Sequence, residues 1–227
     1  MSTIRTIDLQ KVYSETKVPV YALNGISLEI REAEFTAIVG PSGSGKTTLL
    51  NMIGGLDVPT RGEVHINGTN ITGLSSRKLI DFRLHNIGFV FQSFNLIPVL
   101  TAGENVEFIL QLQGVGKKER QQRANELLDA VGLADKIDNR PGDLSGGQQQ
   151  RIAVARALAS KPRFILADEP TANLDSKSTA ELLDIMEKMN RQFNTTFLFS
   201  THDSRVMERA RRIITIEDGK VAKDEIR

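Results

Sequence analysis

Three short stretches carry residue types whose spacing suits chemistry on a phosphate. Residues 40–47 read GPSGSGKT, the pattern G-x-x-x-x-G-K-[ST]. Glycines at this spacing let backbone N–H groups curl around an anion without side-chain clashes. Lys46 adds a point charge, and the Thr47 hydroxyl can ligate a magnesium ion. An ordinary glycine-rich turn is the alternative, and a strand before it with a helix after it favours the anion site. Residues 164–170 read FILADEP. Asp168, at the end of four apolar residues, can hold magnesium through water, and Glu169 can accept a proton from an attacking water. Alone, an apolar strand that ends in acids is an ordinary feature, because such acids often cap the next helix. Residues 144–148 read LSGGQ. Ser145 is a good helix N-cap, Gly146 and Gly147 permit close backbone approach to an anion, and the following helix aims its positive end outward.

These residues need elements to hold them. Residues 36–39 are a short apolar run leading into the first motif, and Leu49, Leu50 and Ile53 mark one side of a helix after it. Residues 164–167 and 197–199 are matching apolar runs. Continuous apolar strands separated by helices predict a parallel sheet covered on both faces. Nearer the N-terminus Ile26, Leu28 and Ile30 alternate with Ser27, Glu29 and Arg31, the pattern of a half-buried strand. Ile4, Ile7, Leu9 and Val12 are less regular, but their β-branched content favours a strand too. From about residue 76 to 160 the pattern turns helical, with apolar residues at three- and four-residue spacing in 104–113, 117–131 and 146–160. This predicts a helical block inserted between the phosphate-binding half and the rest of the sheet. Near the C-terminus Asp218-Gly219 marks the turn of a hairpin.

Composition excludes several functions. The 227 residues carry a formal net charge of +1, which argues against a dominant nucleic-acid-binding face. There is no cysteine, which removes disulfides, thiol catalysis and Cys-ligated metal. The longest apolar run, residues 96–100, contains Pro98 and falls far short of the ~18 residues a membrane span needs. The start MSTIRTIDLQ lacks the charged and apolar regions of a secretory signal. The expectation is a cytosol-type soluble domain that reaches a membrane only through a partner.

The three motifs, in this order and at these separations, resemble the nucleotide-binding domain of an ABC ATPase over nearly the whole chain. The resemblance implies an α/β fold: a P-loop NTPase core with a mixed, mostly parallel sheet, an N-terminal antiparallel β-subdomain and an inserted α-helical subdomain. It implies one domain, with the core at 1–91 and 161–227 and the helical part at about 92–160. It implies ATP and Mg²⁺, with Gly40, Pro41, Ser42, Gly43, Ser44, Gly45, Lys46, Thr47 and Thr48 around the phosphates. Tyr13 matches the aromatic that stacks on adenine, a core tyrosine being the alternative. Gln92 matches a glutamine that touches Mg²⁺, beside Thr47 and Asp168, and the attacking water. Glu169, His202, Gln92 and Lys46 form the catalytic set, with His202 as the switch histidine on the γ-phosphate. Ser145, Gly146, Gly147 and Gln148 would complete the ATP site of a second copy, packed head to tail. His65 and His85 match nothing, and Asn173 departs from the commoner Ser-Ala before Leu174-Asp175.

A narrower resemblance, in PSGSGKTTLLNMIGGLDVPTRGEV, IGFVFQSFNLIPVLTAGENV and LSGGQQQRIAVARAL, is to the lipoprotein-releasing and macrolide-exporter branch. It implies an ATPase subunit of a bacterial ABC transporter or mechanotransmission complex, on the cytoplasmic face of the inner membrane and bound to integral membrane permease subunits. An importer-type ATPase is the alternative. A DNA-acting relative would separate the motifs by a long coiled coil, and a translation factor would carry two motif sets. A non-hydrolysing binder would lack Glu169. The apolar run after Gln92 (Phe94, Leu96, Ile97, Val99, Leu100) is expected to offer a groove to a helix of the membrane subunit, with Glu104 at its rim.

Overall fold

The computed structural model describes residues 2–14 and 18–227. The first elements are β1 (Ser2–Tyr13), β2 (Val20–Arg31), β3 (Phe35–Val39), α1 (Lys46–Ile53), β4 (Arg61–Ile66) and β5 (Thr69–Asn70). The middle holds α2 (Ser76–Asn86), β6 (Ile87–Val90), α3 (Ala102–Leu112), α4 (Lys117–Ala130) and α5 (Gly146–Ala159). The last part adds β7 (Phe164–Asp168), α6 (Ser176–Phe193), β8 (Thr196–Ser200), α7 (Ser204–Arg209), β9 (Arg212–Glu217) and β10 (Lys220–Ile226).

The alternation in β2 buries Ile26, Leu28 and Ile30 and exposes the residues between them. Its antiparallel partner β1 is irregular for a physical reason. The register slips between Thr6 and Leu9, where Asp8 takes φ 44°, so Ile7 is left exposed while Ile4 and Leu9 are buried. With β4 and β5 these strands form a sheet of order β2-β1-β4-β5.

The second sheet has the order β10-β9-β3-β8-β7-β6, parallel from β9 to β6 with β10 antiparallel at the edge. Its central strands β3 and β8 are buried along their whole length because both faces are covered. Phe164 and Leu166 of β7 join Ile38, Leu198, α1 and the antiparallel sheet on one side. Ile165 and Ala167 join Phe197, Phe199, α5 and α6 on the other. The predicted helical block is interrupted by β6, the edge strand, and its helices do not form a separate globule. Val106 and Leu110 of α3, Leu127 and Leu128 of α4 and Leu158 of α5 lie in the same continuous core as the sheet face. At the predicted hairpin Asp218 and Gly219 both have positive φ, the twist a two-residue turn needs. Gly219 also donates its N–H to Ser44 O at 3.1 Å, so this turn braces the loop at residues 40–45.

Candidate active site

The loop between β3 and α1 is shaped by two glycines that nothing else could replace. Gly40 has φ +146°, and a Cβ there would lie 2.1 Å from Ile216 O. Gly45 has φ +104°, and a Cβ there would lie 2.3 Å from Ala22 O. The loop is therefore pressed between β9 and β2. Inside it Lys46 donates to Gly40 O and Pro41 O, both at 2.9 Å. Ser44 Oγ is buried with no hydrogen-bond partner among the described residues. A buried orphan hydroxyl costs about 1–3 kcal/mol, so its position in the loop just before a helix start fits a hydroxyl that donates to a phosphate.

Thr47 Oγ1 donates to Asp168 Oδ1 at 3.1 Å, which brings together two of the three predicted magnesium ligands. Among the described residues there is no cluster of three or more His, Cys, Asp or Glu suited to a metal. One hydroxyl and one carboxylate suit a Mg²⁺ that keeps its waters and takes its other ligands from phosphates. Thr47, Asp168 and the Ser44 cradle thus fit a magnesium nucleotide. The third predicted ligand, Gln92, lies just beyond β6 with an exposed side chain, and its backbone carbonyl accepts from Asn173 Nδ2 at 3.1 Å. Asn173, the departure noted in the sequence, thus ties the segment after β7 to the segment after β6.

Glu169 follows Asp168 with φ 45°, a left-handed conformation that side chains avoid, and its N–H donates to Ser200 O. Its carboxylate accepts from Thr201 Oγ1 at 3.3 Å and lies 2.8 Å from His202 Nδ1. Thr171 Oγ1 donates to Asp203 Oδ2 at 2.8 Å, linking the two loops again. Hydrogen bonds from the Arg205 guanidinium, opposed by burial, hold the Asp203 carboxyl down at about 2. Thr201 and Asp203 escaped sequence reasoning; their signal was adjacency to His202.

The signature segment caps its own helix. Ser145 Oγ accepts from Gln148 N–H, and Gln148 Oε1 accepts from Ser145 N–H, a closed capping box. Gly147 owes its lack of a side chain to packing as well, since a Cβ there would lie 2.9 Å from Ser178 Oγ in α6. Among the described residues no hydrogen bond joins this segment to the loop at 40–47. Two further residues of α5 make the internal connection. Gln150, fully buried, donates to Pro170 O at 2.7 Å and Phe91 O at 3.3 Å. Arg156 donates to Phe94 O at 2.9 Å and to Asn95 O, bracing two consecutive residues at positive φ. Gln150 was visible as an amide on the buried stripe of a helix; Arg156 carried no comparable signal.

Tyr13 ends β1, half-exposed, beside Thr48 of α1, and its O–H donates to Asp57 Oδ2 at 3.0 Å. Burial first, then the Asp57 carboxylate, pushes its phenol up. Of the apolar run expected to offer a groove, only Ile97 lines a cavity. A largely apolar cavity of about 540 Å³ opens between α2, β6 and α3, lined by Ile80, Leu84, Phe89, Ile97, Phe108 and Leu112. Leu96 packs into the core instead, because Asn105, fully buried, grips the backbone at Ile97, Leu100 and Thr101 and turns the chain over Pro98. Glu104 does not line this cavity; it closes the capping box of α3 with Thr101.

The family model described as ABC transporter matches residues 23–172, which hold the phosphate loop, the signature segment and the paired acids. The chain belongs to the ABC transporter family. It is an ATP-binding cassette with the site of an ATPase. A Thermotoga maritima ABC transporter ATP-binding protein is 49% identical over 95% of this chain and 92% of its own length. The macrolide export ATP-binding/permease protein MacB of Brucella abortus is 47% identical over 97% of this chain, which spans 34% of that longer protein. Among solved structures, the dimeric post-hydrolysis state of the ATP-binding cassette MJ0796 bound to ADP and Pi superposes with a TM-score of 0.90 at 44% identity, covering 98% of both chains. The mixed sheet, antiparallel β-subdomain and helical insert are those of this cassette fold.

Proposed function

We propose that this cassette hydrolyses MgATP between two copies of itself and that this drives a membrane permease of the macrolide-exporter type from the cytoplasmic face. The observation that carries the reading is the pairing of a complete cradle with a capped signature helix to which no hydrogen bond joins it within the described chain. A helix N-terminus left facing outward suits the triphosphate held by another copy. Among the described residues no helix is long and apolar enough to cross a membrane, which suits attachment through a partner.

In this reading the N–H groups of Gly43 and of residues 45–47, with the Lys46 side chain, bind the β- and γ-phosphates, and Tyr13 stacks on the base. Thr47, Asp168 and Gln92 would hold Mg²⁺, which when bound neutralises charge on the β- and γ-oxygens. Glu169 takes the proton from the water whose oxygen bonds to the γ-phosphorus as the bond to the β–γ bridging oxygen breaks, releasing ADP and phosphate. His202, 2.8 Å from Glu169, orients that carboxylate and contacts the γ-phosphate. The block at about 92–160 would move as a unit, with the apolar cavity receiving a helix of the permease.

Glu169→Gln tests the reading. Turnover is expected to fall 10²–10⁴-fold with ATP still bound, and a sizing column run with ATP is expected to show a dimer. Normal turnover with an unchanged monomer mass would overturn it.

A further inference from the structure

We propose that Lys11 and Asp57 are positioning residues for the nucleobase, holding the Tyr13 ring so that a single face is open for stacking. The inference rests on the reading of Tyr13 as the base platform. A tyrosine at the end of a strand, 36% exposed, would ordinarily sample several rotamers. Here four contacts remove that freedom. The Tyr13 hydroxyl donates to Asp57 Oδ2 at 3.0 Å, and Lys11 Nζ donates to Asp57 Oδ1 at 2.7 Å. Lys11 Nζ also donates to Val58 O at 2.8 Å and stands 4.8 Å from the centre of the Tyr13 ring. Lys11 and Tyr13 lie two apart on β1, so their side chains share one side of the strand.

The ammonium occupies one face of the ring and attracts its π density, so a base can stack only on the other. Asp57 is itself anchored. Its Oδ1 accepts from Val58 N–H at 2.6 Å, and its loop is sewn to β1 by Thr60 N–H on Gln10 O at 2.8 Å and by Val12 N–H on Thr60 Oγ1 at 3.0 Å. This loop follows α1 directly. The helix that begins at the phosphate cradle thus carries, four residues past its end, the carboxylate that aims the base platform. One rigid piece sets the spacing between the triphosphate and the base.

Ordering a side chain only on binding lowers affinity by about 3- to 10-fold, which the clamp avoids. The chain has no tryptophan and two tyrosines, so Tyr21→Phe makes Tyr13 the only tyrosine and its ultraviolet signal specific. In that background Asp57→Asn and Lys11→Met should each raise the KM for MgATP about 3- to 10-fold and leave kcat within about twofold. Binding of inorganic tripolyphosphate should not change, since it has no base. Asp57→Asn should also lower the Tyr13 phenol titration, and neither variant should add to the defect of Tyr13→Ala. If Tyr13→Ala weakens ATP while both clamp variants match the parent, the clamp is overturned and the platform stands. If Tyr13→Ala leaves ATP binding intact, the platform falls and the clamp with it. Parallel losses of kcat and tripolyphosphate binding in the clamp variants would mark a merely structural role and overturn the inference.

Discussion

The two segments proposed to meet the triphosphate, the loop at residues 40–47 and the signature segment at residues 144–148, are built by opposite means. The loop is held from outside. Ile216 O of β9, Ala22 O of β2 and the N–H of Gly219 press on it from elements far away in sequence. The signature segment is capped from within, by a capping box among its own residues, and although Gly147 packs against Ser178 of α6, a Cβ on Gly146 would meet nothing closer than 3.6 Å. Rigidity at the first end comes from tertiary packing, and at the second from local helix chemistry. The first end cannot move without disturbing strands of both sheets, while the shape of the second is fixed within its own helix. Gln150 and Arg156 of α5 join that helix, through Pro170, Phe91, Phe94 and Asn95, to the segments after β7 and β6.

The contrast can be broken most directly by adding one methyl group at each end. Gly45→Ala should cost about 2–4 kcal/mol of stability in urea unfolding, from positive φ and the clash with Ala22 O. Gly146→Ala should stay within about 0.5 kcal/mol in the same experiment. Equal costs at the two positions would erase the distinction.

A smaller effect should appear in acid at the cradle side. The carboxyl of Asp203 is held at about 2 in the folded protein against 3.8 ordinarily, so its stabilisation is complete above about pH 4 and is lost as pH falls toward 2. Asp203→Asn should flatten that part of the stability profile by on the order of 1–2 kcal/mol after solvent screening. Unfolding curves collected between pH 5 and 2.5 would show it, and an unchanged slope would remove the Thr171–Asp203–Arg205 link from the account. The smallest change is expected at the signature end, where Ser145→Ala removes a cap worth about 1 kcal/mol. Its thermal midpoint should drop slightly while Tyr13 and the cradle keep their affinity for ATP in calorimetry. A large loss of ATP affinity in the monomer would show that the two ends are not independent.

Much of this was legible beforehand for identifiable reasons. The runs in β3, β7 and β8 are short and mostly apolar without alternation, as strands covered on both faces are, and the glycines of the loop stand at a spacing that few other structures need. The irregular β1 was legible only in part, because a bulge at Asp8 shifts its face by one residue. The segment after Gln92 misled in detail. Leu96 and Ile97 are adjacent and equally apolar, and the grip of Asn105 on the backbone decides which one faces the core.

By itself the sequence determined strands β2, β3, β7 and β8, the turn at Asp218-Gly219 and the Ser145 cap of α5, and it marked residues 40–47 and 168–169 as candidates, since each depends on residues within a few positions of one another. The tertiary structure alone decided which distant groups meet: Thr47 with Asp168, Asn173 with Gln92, Gln150 with Pro170, and Lys11 and Tyr13 with Asp57. Such pairs leave no periodicity and no local spacing. They arise when two sheets and the helices between them pack, and buried polar groups must then find partners across the chain.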